Sequence, residues 1–373
     1  MFLDTQYPTI GIVGSAGAYG RWLRDFFEQC MQLQVIGHDP ADANSSSEED
    51  LLQQADVLLF SAPIRQTPAL IARYVQQSAG REVGRLWLDV TSIKSEPVAA
   101  MLLSQAEVMG LHPMTAPPKS PTLRGRVLAV CEGRLQHWGG WFAKLLDTLE
   151  AECVHVTPEQ HDRAMAMVQA MVHATHLAQA SVLHQHTVQT GGLSGLLPLR
   201  SASFEMDAAI ASRILSLNPA IYEDIQFGNP HVPQVLRGLA EQLTRISSLV
   251  EHGSDTARAS FRSEFLTNNR NAFGEQALAA GNYTYERLGY LLADLADPHT
   301  MSVHLPEDRP GSLRALLHVF ETQGVSIASL HSSRTPSGEV HFRFGFNSGT
   351  PLDRLAAVAS ALAESDIGTV LSG

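Results

Sequence analysis

The segment Ile10 to Gly20, reading Ile-Gly-Ile-Val-Gly-Ser-Ala-Gly-Ala-Tyr-Gly, constrains this chain more than any other. A short apolar run stops at Gly14. Gly17 and Gly20 follow, each three residues on. Arg21 to Gln29 then carries its apolar residues at helical spacing, and a second apolar run, Gln34 to Gly37, ends at His38-Asp39. Strand, glycine turn, helix, strand and acid in this order fit a dinucleotide cradle. Gly14 allows the tight turn, Gly17 lets backbone approach a pyrophosphate, and Gly20 lets the helix pack close to the sheet with its N-terminus facing the anion. The cofactor-binding candidates are therefore Gly14, Ser15, Ala16, Gly17, Ala18, Tyr19 and Gly20. Asp39 is placed to accept hydrogen bonds from the adenosine ribose hydroxyls, which favours NAD over NADP. The spacing is one residue longer than the usual Gly-x-Gly-x-x-Gly, so an ordinary glycine-rich turn is the competing reading.

The chain has 373 residues, enough for two or three domains. Its 26 basic and 38 acidic residues give a net charge of −12, which argues against a nucleic-acid surface. Cys30, Cys131 and Cys153 form an odd, sparse set without metal-type spacing, so neither a disulfide framework nor a cysteine metal site is expected. No secretory signal and no membrane-length apolar run is visible, and a reducing cytoplasm fits best.

Three textures divide the chain. Strand-like runs recur at Thr9–Val13, Gln34–Gly37, Asp56–Ser61, Arg85–Asp89, Glu107–Leu111, Arg126–Val130 and Cys153–His155, with helical stretches such as Thr67–Gln77 and Leu135–Leu149 between most of them. This alternation predicts an α/β fold, a Rossmann-type doubly wound and mostly parallel sheet, over residues 1–156. The polar patch Asn44 to Asp50 leads into a helix, with serines suited to capping. Residues 157–297 read as an all-helical domain, broken only near Thr190–Pro198 and Phe227–Pro233. It would supply a substrate wall and a dimer interface. Residues 298–373 run strand, helix, strand, strand, helix, strand, the order of a ferredoxin-like βαββαβ module.

Three segments carry candidate chemistry. Gly110-Leu111-His112-Pro113-Met114 follows a strand, on the sheet edge where ligands bind in open α/β folds. His112 there fits a base that polarises a substrate hydroxyl, or a capping histidine. In Asp89-Val90-Thr91-Ser92-Ile93-Lys94, Ser92 is suited to bonding a hydroxyl and Lys94 to pairing with an anion; the same residues fit a cap for the helix from Glu96 onward. In the helix His161 to His173, Gln169 and His173 are four apart on one face, and His161 is on roughly the same face. His173 with His176, and His184 with His186, lack a carboxylate to complete a metal set, so no metal is expected.

Taken in order, these pieces resemble the prephenate dehydrogenases, the NAD-dependent enzymes of tyrosine biosynthesis. The match is carried by Ile12 to Arg21, Ser61-Ala62-Pro63-Ile64, Asp89 to Lys94 with Gly110 to Met114, and His161-Asp162-Arg163-Ala164-Met165-Ala166 with Gln169 and His173. The resemblance implies oxidative decarboxylation of prephenate, or of arogenate, which carries an amino group in place of the side-chain keto group. It implies His112 as the base at the ring hydroxyl, Ser92 orienting that hydroxyl or His112, and His173 and Gln169 reaching the substrate from the helical domain. It sets Ser61, Ala62 and Pro63 against the nicotinamide. It also implies a homodimer. Where the family has a carboxylate-binding arginine, this chain has His231, within Gly228-Asn229-Pro230-His231-Val232; Lys94, Lys119, Arg124 and Arg200 are the candidates for the missing charge. The C-terminal module resembles an ACT domain, with Pro310, Gly311, Ser312 and Leu313, and Ser333 and Arg334, where that family places effector loops. Tyrosine is the expected effector. A non-catalytic amino-acid sensor is the competing class.

Overall fold

Strands buried on both faces lose their alternating pattern and read as unbroken apolar runs. That is how the first sheet is written. β1 (Ile10–Val13) is wholly buried, β2 (Val35–His38) lies beside it, and β3 (Val57–Phe60) and β4 (Leu86–Asp89) are again buried throughout. β5 (Glu107–Pro113), β6 (Val127–Arg134) and β7 (Glu152–Val156) complete a seven-stranded sheet in the order β2-β1-β3-β4-β5-β6-β7. The coordinates are a computed structural model describing residues 7–296, 299–305, 309–334, 340–365 and 367–372.

The pairings β1–β2, β1–β3, β3–β4 and β4–β5 are parallel. β6 runs antiparallel to β5, and β7 parallel to β6. The chain leaves β1 for one side of the sheet and returns to the other, so the topological switch falls at β1 and β3, the usual ligand crevice of such folds. Helices α1 (Ala18–Asp25), α2 (Glu48–Gln54), α3 (Thr67–Ser78), α4 (Ser95–Leu102) and α5 (Gly139–Leu149) flank the strands. Ser47 caps α2 in a reciprocal box with Asp50. Two apolar clusters hold the helices. One joins Ile10 and Ile12 to Phe26, Phe27, Trp138 and Trp141. The other joins Val13, Leu58 and Phe60 to Tyr74 and Trp87.

The boundary of β5 departs from expectation in a way that bears on the site. Residues 112 and 113 lie inside β5 rather than after it, because β6 pairs antiparallel as far as His112↔Ala129 and Pro113↔Leu128. The imidazole is fixed by strand backbone, not carried on a loop.

After β7 the chain is helical. α6 (Pro158–Met165) opens with Thr157 and Gln160 in a capping box, passes through a wide π-helical turn at Ala166–Met171, and continues as α7 (Val172–Gln185). Helices Ala202–Ser216, Pro219–Gly228 and Val232–His252 follow. Ala166 and Ala170 of the π turn pack on Ile225 and Val232, with Ile64 of the loop after β3 against the same cluster. Small side chains at 166 and 170 permit this close approach.

The chain divides into two compact units, Met1–Ser248 and Leu249–Gly373. In the second, helices Asp255–Phe261 and Glu275–Ala296 precede an antiparallel sheet. β8 (Thr300–Leu305), helix Ser312–Thr322, β9 (Ile327–Arg334), β10 (Val340–Phe346), helix Leu352–Ser365 and β11 (Thr369–Ser372) give the sheet order β11-β8-β10-β9. This is the βαββαβ plan read from the sequence. Met301, Val303, Leu305, Phe342 and Phe344 alternate onto one face and bury Leu316, Phe320, Val358 and Leu362. Gly311 adopts φ +99° at the helix start, Ser312 Oγ accepts from the Arg309 amide at 3.0 Å, and Pro310 and Leu313 are exposed. The side chains of Ser333 and Arg334 lie outside the described residues. Among the described residues no helix is long and apolar enough to cross a membrane.

Candidate active site

The glycine turn fills the switch point. Gly14 has φ +87°, and a Cβ there would lie 2.5 Å from the Ser61 carbonyl oxygen, so this approach of β1 to the loop after β3 requires glycine. A Cβ at Gly20 would strike the Gly14 carbonyl and the Ser15 backbone. At Gly17, by contrast, a Cβ would meet only Gly14 O at 3.2 Å and Ser61 O at 3.9 Å. The contact at 17 is tight but milder than those at 14 and 20, and the bare backbone there suits close approach of a phosphate. Ser15 is buried against Gly37, and Ala18 opens α1.

Asp39 follows β2 and braces the turn. Its Oδ2 accepts from the Ala16 amide at 3.0 Å and its Oδ1 from the Ala41 amide at 2.9 Å. The acid expected at the ribose stands beside the glycine turn. The Ser61 amide donates to Val13 O at 2.8 Å, and the carbonyls of Ala62 and Pro63 both accept from Thr67 Oγ1. The Arg65 amide donates to Asp224 Oδ2 at 3.1 Å, tying this loop to helix Pro219–Gly228.

Tyr19 also ties the glycine turn to the segment after β5. Its hydroxyl donates to the Thr115 carbonyl, and burial raises its pKa. Trp22 Nε1 donates to Ser120 O at 2.9 Å. The segment after β5 is thereby fastened across α1, which joins the strand end bearing His112 to the helix that starts from the glycine turn.

His112 is 4% exposed. Its Nδ1 lies 2.9 Å from Nε2 of His161. Burial first, then the neighbouring His161 and Lys94, hold its pKa well below the usual histidine value, so the ring is neutral at physiological pH. His161 Nδ1 donates to Asp162 Oδ1 at 2.8 Å. Asp162 is fully buried and also accepts from the Lys94 and Ser95 amides, both at 2.8 Å, at the start of α4. Burial pushes its pKa up, but the hydrogen bonds from His161, Ser95 and the Lys94 amide outweigh this and keep it low. Sequence reading placed His161 near the right face but gave neither His161 nor Asp162 a role. The available signal was an acid beside a histidine near the start of a capped helix.

Lys94 does not face a ligand. It is 0% exposed; its ammonium is ion-paired with Asp89 and donates to Leu111 O at 2.8 Å. The expected substrate contact is replaced by an internal clamp between β4, β5 and α4. Ser92, in the same turn, is half-buried, and no hydrogen bond engages its hydroxyl among the described residues.

A second polar group gathers where the π turn meets helix Pro219–Gly228. Gln226 Nε2 donates to Ala170 O at 2.7 Å, which leaves Oε1 as its remaining acceptor. The Oε1 atoms of Gln226 and Gln169 and the Nδ1 of His173 are buried without a hydrogen-bond partner among the described residues. His173 and Tyr222 stand edge to face, ring centroids 4.9 Å apart. Burial, then His176, lowers the His173 pKa. Orphaned buried polar atoms are costly unless a ligand completes them. Tyr222 and Gln226 were missed by sequence reading.

His231 follows Asn229, whose Oδ1 accepts the His231 amide at 3.0 Å and whose Nδ2 donates to Asp162 O at 2.6 Å. The position expected to carry the arginine is thus tethered to the Asp162 backbone. Of the candidates for the missing charge, Lys94 is internal and Arg200 pairs with Glu205 at 3.1 Å. Lys119 and Arg124 are exposed and carry no ion pair among the described residues.

A Rossmann-type sheet with a glycine turn at its switch point, joined to a helical region that frames the strand ends, defines a dehydrogenase-type α/β fold. Residues 157–264 match the family model of the prephenate dehydrogenase dimerization domain. The chain is 26% identical over 261 residues to a Methanocaldococcus jannaschii protein named "Probable arogenate/prephenate dehydrogenase", covering 65% of this chain and 57% of that one. It is 28% identical to the T-protein of Enterobacter agglomerans, covering 68% and 66%. It therefore spans only about three-fifths to two-thirds of the length of these two relatives. A Streptomyces pristinaespiralis 4-amino-4-deoxyprephenate dehydrogenase is 29% identical, with coverage of 68% and 88%. In fold, the chain matches the Aquifex aeolicus prephenate dehydrogenase solved with hydroxyphenyl propionate and NAD+, at TM-score 0.54, 15% identity and coverage of 70% and 96%. It likewise matches Synechocystis arogenate dehydrogenase, at TM-score 0.51, 16% identity and coverage of 71% and 100%. The chain is thus similar to prephenate and arogenate dehydrogenases, and residues 157–264 match the dimerization domain of the former.

Proposed function

We propose that this chain is an NAD-dependent prephenate dehydrogenase that converts prephenate to 4-hydroxyphenylpyruvate in tyrosine biosynthesis. One observation carries the reading. His112, kept neutral by burial and held through Nδ1, stands on a strand whose following segment is bonded across the helix that opens from Gly14–Gly20.

The residues fit the cofactor: the glycine turn at Gly14–Gly20 lets backbone approach a pyrophosphate, and Asp39 stands beside the turn for the ribose. NAD supplies the hydride acceptor. His112 uses Nε2, the ring nitrogen that His161 does not engage, to accept the proton of the ring hydroxyl. A base so placed contributes about 10²–10⁴ in rate. Ser92 orients that hydroxyl. His173 and Gln169 meet the substrate from the helical side, and His231 with Lys119 faces its carboxylates. The family model's dimerization region supports a homodimer, and we assign tyrosine feedback to the C-terminal βαββαβ unit at Pro310–Leu313 with Ser333 and Arg334.

The orphaned oxygens of Gln169 and Gln226 favour a second reading, arogenate as substrate. Amide oxygens accept hydrogen bonds; an ammonium supplies donors and a keto group does not. Nicotinamide reduction followed at 340 nm with NAD and each substrate tests both. Turnover of prephenate supports the first reading, preference for arogenate supports the second, and turnover of neither overturns the assignment.

A further inference from the structure

His112, His161 and Asp162 form a single hydrogen-bonded line, and its chemistry can be read from the far end. Asp162 accepts backbone N–H bonds on both oxygens, from Lys94 and Ser95, each at 2.8 Å. An N–H needs an acceptor, so both oxygens are held as the carboxylate. The same Oδ1 receives His161 Nδ1 at 2.8 Å, which must therefore be the protonated nitrogen of that ring. In neutral His161 the other nitrogen, Nε2, is then bare. It lies 2.9 Å from His112 Nδ1, and two nitrogens at that distance need one proton between them. His112 supplies it. Neutral His112 is thus protonated on Nδ1 and bare on Nε2, so the lone pair of a base stands on the nitrogen directed away from His161.

We propose that His161 and Asp162 are a positioning pair that fixes the tautomer of His112 and takes up the charge it acquires. This rests on the reading of His112 as the base. The proton leaving the substrate hydroxyl lands on His112 Nε2. The Nδ1 proton of His112 passes to His161 Nε2, while His161 keeps its Nδ1 proton in the bond to Asp162. One proton enters the line and none leaves it, and the positive charge comes to rest beside the Asp162 carboxylate instead of alone in the interior. The reverse path restores the resting state when Nε2 releases its proton. Both rings are almost wholly buried, where an uncompensated charge is costly, so this displacement removes much of the penalty on forming imidazolium at His112. His161 touches neither substrate nor cofactor in this scheme.

The tautomer can be measured without turnover. In the full chain labelled with ¹⁵N-histidine, two-bond ¹H–¹⁵N correlations near pH 7.5 distinguish Nδ1–H from Nε2–H rings. His112→Asn and His161→Gln assign the signals by their loss. The expected result is His112 protonated on Nδ1 and His161 protonated on Nδ1. An Nε2–H signal for His112 overturns the proposal. Kinetics give an independent readout. His161→Leu should lower kcat by at least about a hundredfold, with the KM for substrate and the affinity for NAD unchanged. His161→Gln should recover at least about tenfold of that loss, since its amide oxygen still accepts from His112 Nδ1–H. Equal loss in both variants, or wild-type kcat in His161→Leu, contradicts the proposal. If no dienol substrate is turned over, the proposed reaction fails while the tautomer result still decides the relay.

Discussion

The ammonium of Lys94 is ion-paired with Asp89 where both side chains are 0% exposed. Thr91 also donates to the same carboxylate, from its amide at 3.1 Å and its hydroxyl at 2.7 Å. Removing one member of such a pair strands a buried charge, at a cost of about 3–5 kcal/mol. Lys94→Met is therefore expected to lower stability by this amount in urea unfolding. Lys94→Met combined with Asp89→Leu should recover a large part of it. A Lys94→Met protein of wild-type stability with only a raised substrate KM would return the residue to substrate binding.

Gly20 faces the Gly14 carbonyl so closely that a single methyl cannot be placed between them. Gly20→Ala must push α1 off the turn. Overpacking of this kind costs about 1–3 kcal/mol, and displacement of the helix N-terminus should weaken NAD at least tenfold by calorimetry. Gly17→Ala, whose Cβ would stand 3.2 Å from the Gly14 carbonyl oxygen, farther than that of Gly20→Ala, should lower the melting temperature less than Gly20→Ala while still weakening NAD. Equal melting losses in both variants would contradict the division of labour drawn between these glycines.

The depressed pKa of His112 links stability to pH. The folded protein holds this ring neutral, whereas the unfolded chain protonates it near its ordinary value of 6.5. The stabilisation is fully present above pH 6.5 and is lost as pH falls from there towards the lower folded value. Denaturation midpoints should decline through this window more steeply in the wild type than in His112→Asn. Parallel declines would show that His112 is not the group responsible. The acid limb of kcat/KM should likewise lie below pH 6.5.

Gln226 spends its amide N–H₂ on the Ala170 carbonyl and presents its oxygen. A hydrogen bond from a charged donor contributes about 1.5–3 kcal/mol. If arogenate is the substrate, Gln226→Leu should raise its KM by about tenfold or more and leave the KM for prephenate little changed. An equal rise for both substrates would mean that the glutamine supports the helix contact rather than reading the substrate.

Local rules made most of this fold legible. Gly14, Gly17 and Gly20 announced the switch point because positive φ and close backbone approach leave few residue choices. The alternation from Met301 to Leu305 and from Val340 to Phe346 announced the second sheet because one face is buried and the other is not. What stayed hidden depended on partners distant in sequence. The end of β5 was misplaced because its last residues owe their strand geometry to β6. Lys94 was read as a ligand-binding cation because a sequence displays charge, while its burial against Asp89 and Leu111 depends on tertiary packing. The line from His112 to Asp162 spans residues far apart in the chain. Nothing in either segment alone records that the start of α4 pins Asp162. The π turn at Ala166–Met171 is equally silent in residue spacing, yet it sets Gln169 and His173 with their buried polar atoms unmet.

The central claim is that His112 performs the proton chemistry of a dehydrogenase whose nucleotide rests on the turn at Gly14–Gly20. The most direct test compares His112→Asn with the wild type at 340 nm, using NAD with prephenate and with arogenate, while calorimetry follows NAD binding. The account expects NAD affinity to be unchanged and kcat to fall by about 10²–10⁴ on whichever substrate the wild type uses. Retained turnover in His112→Asn would contradict it.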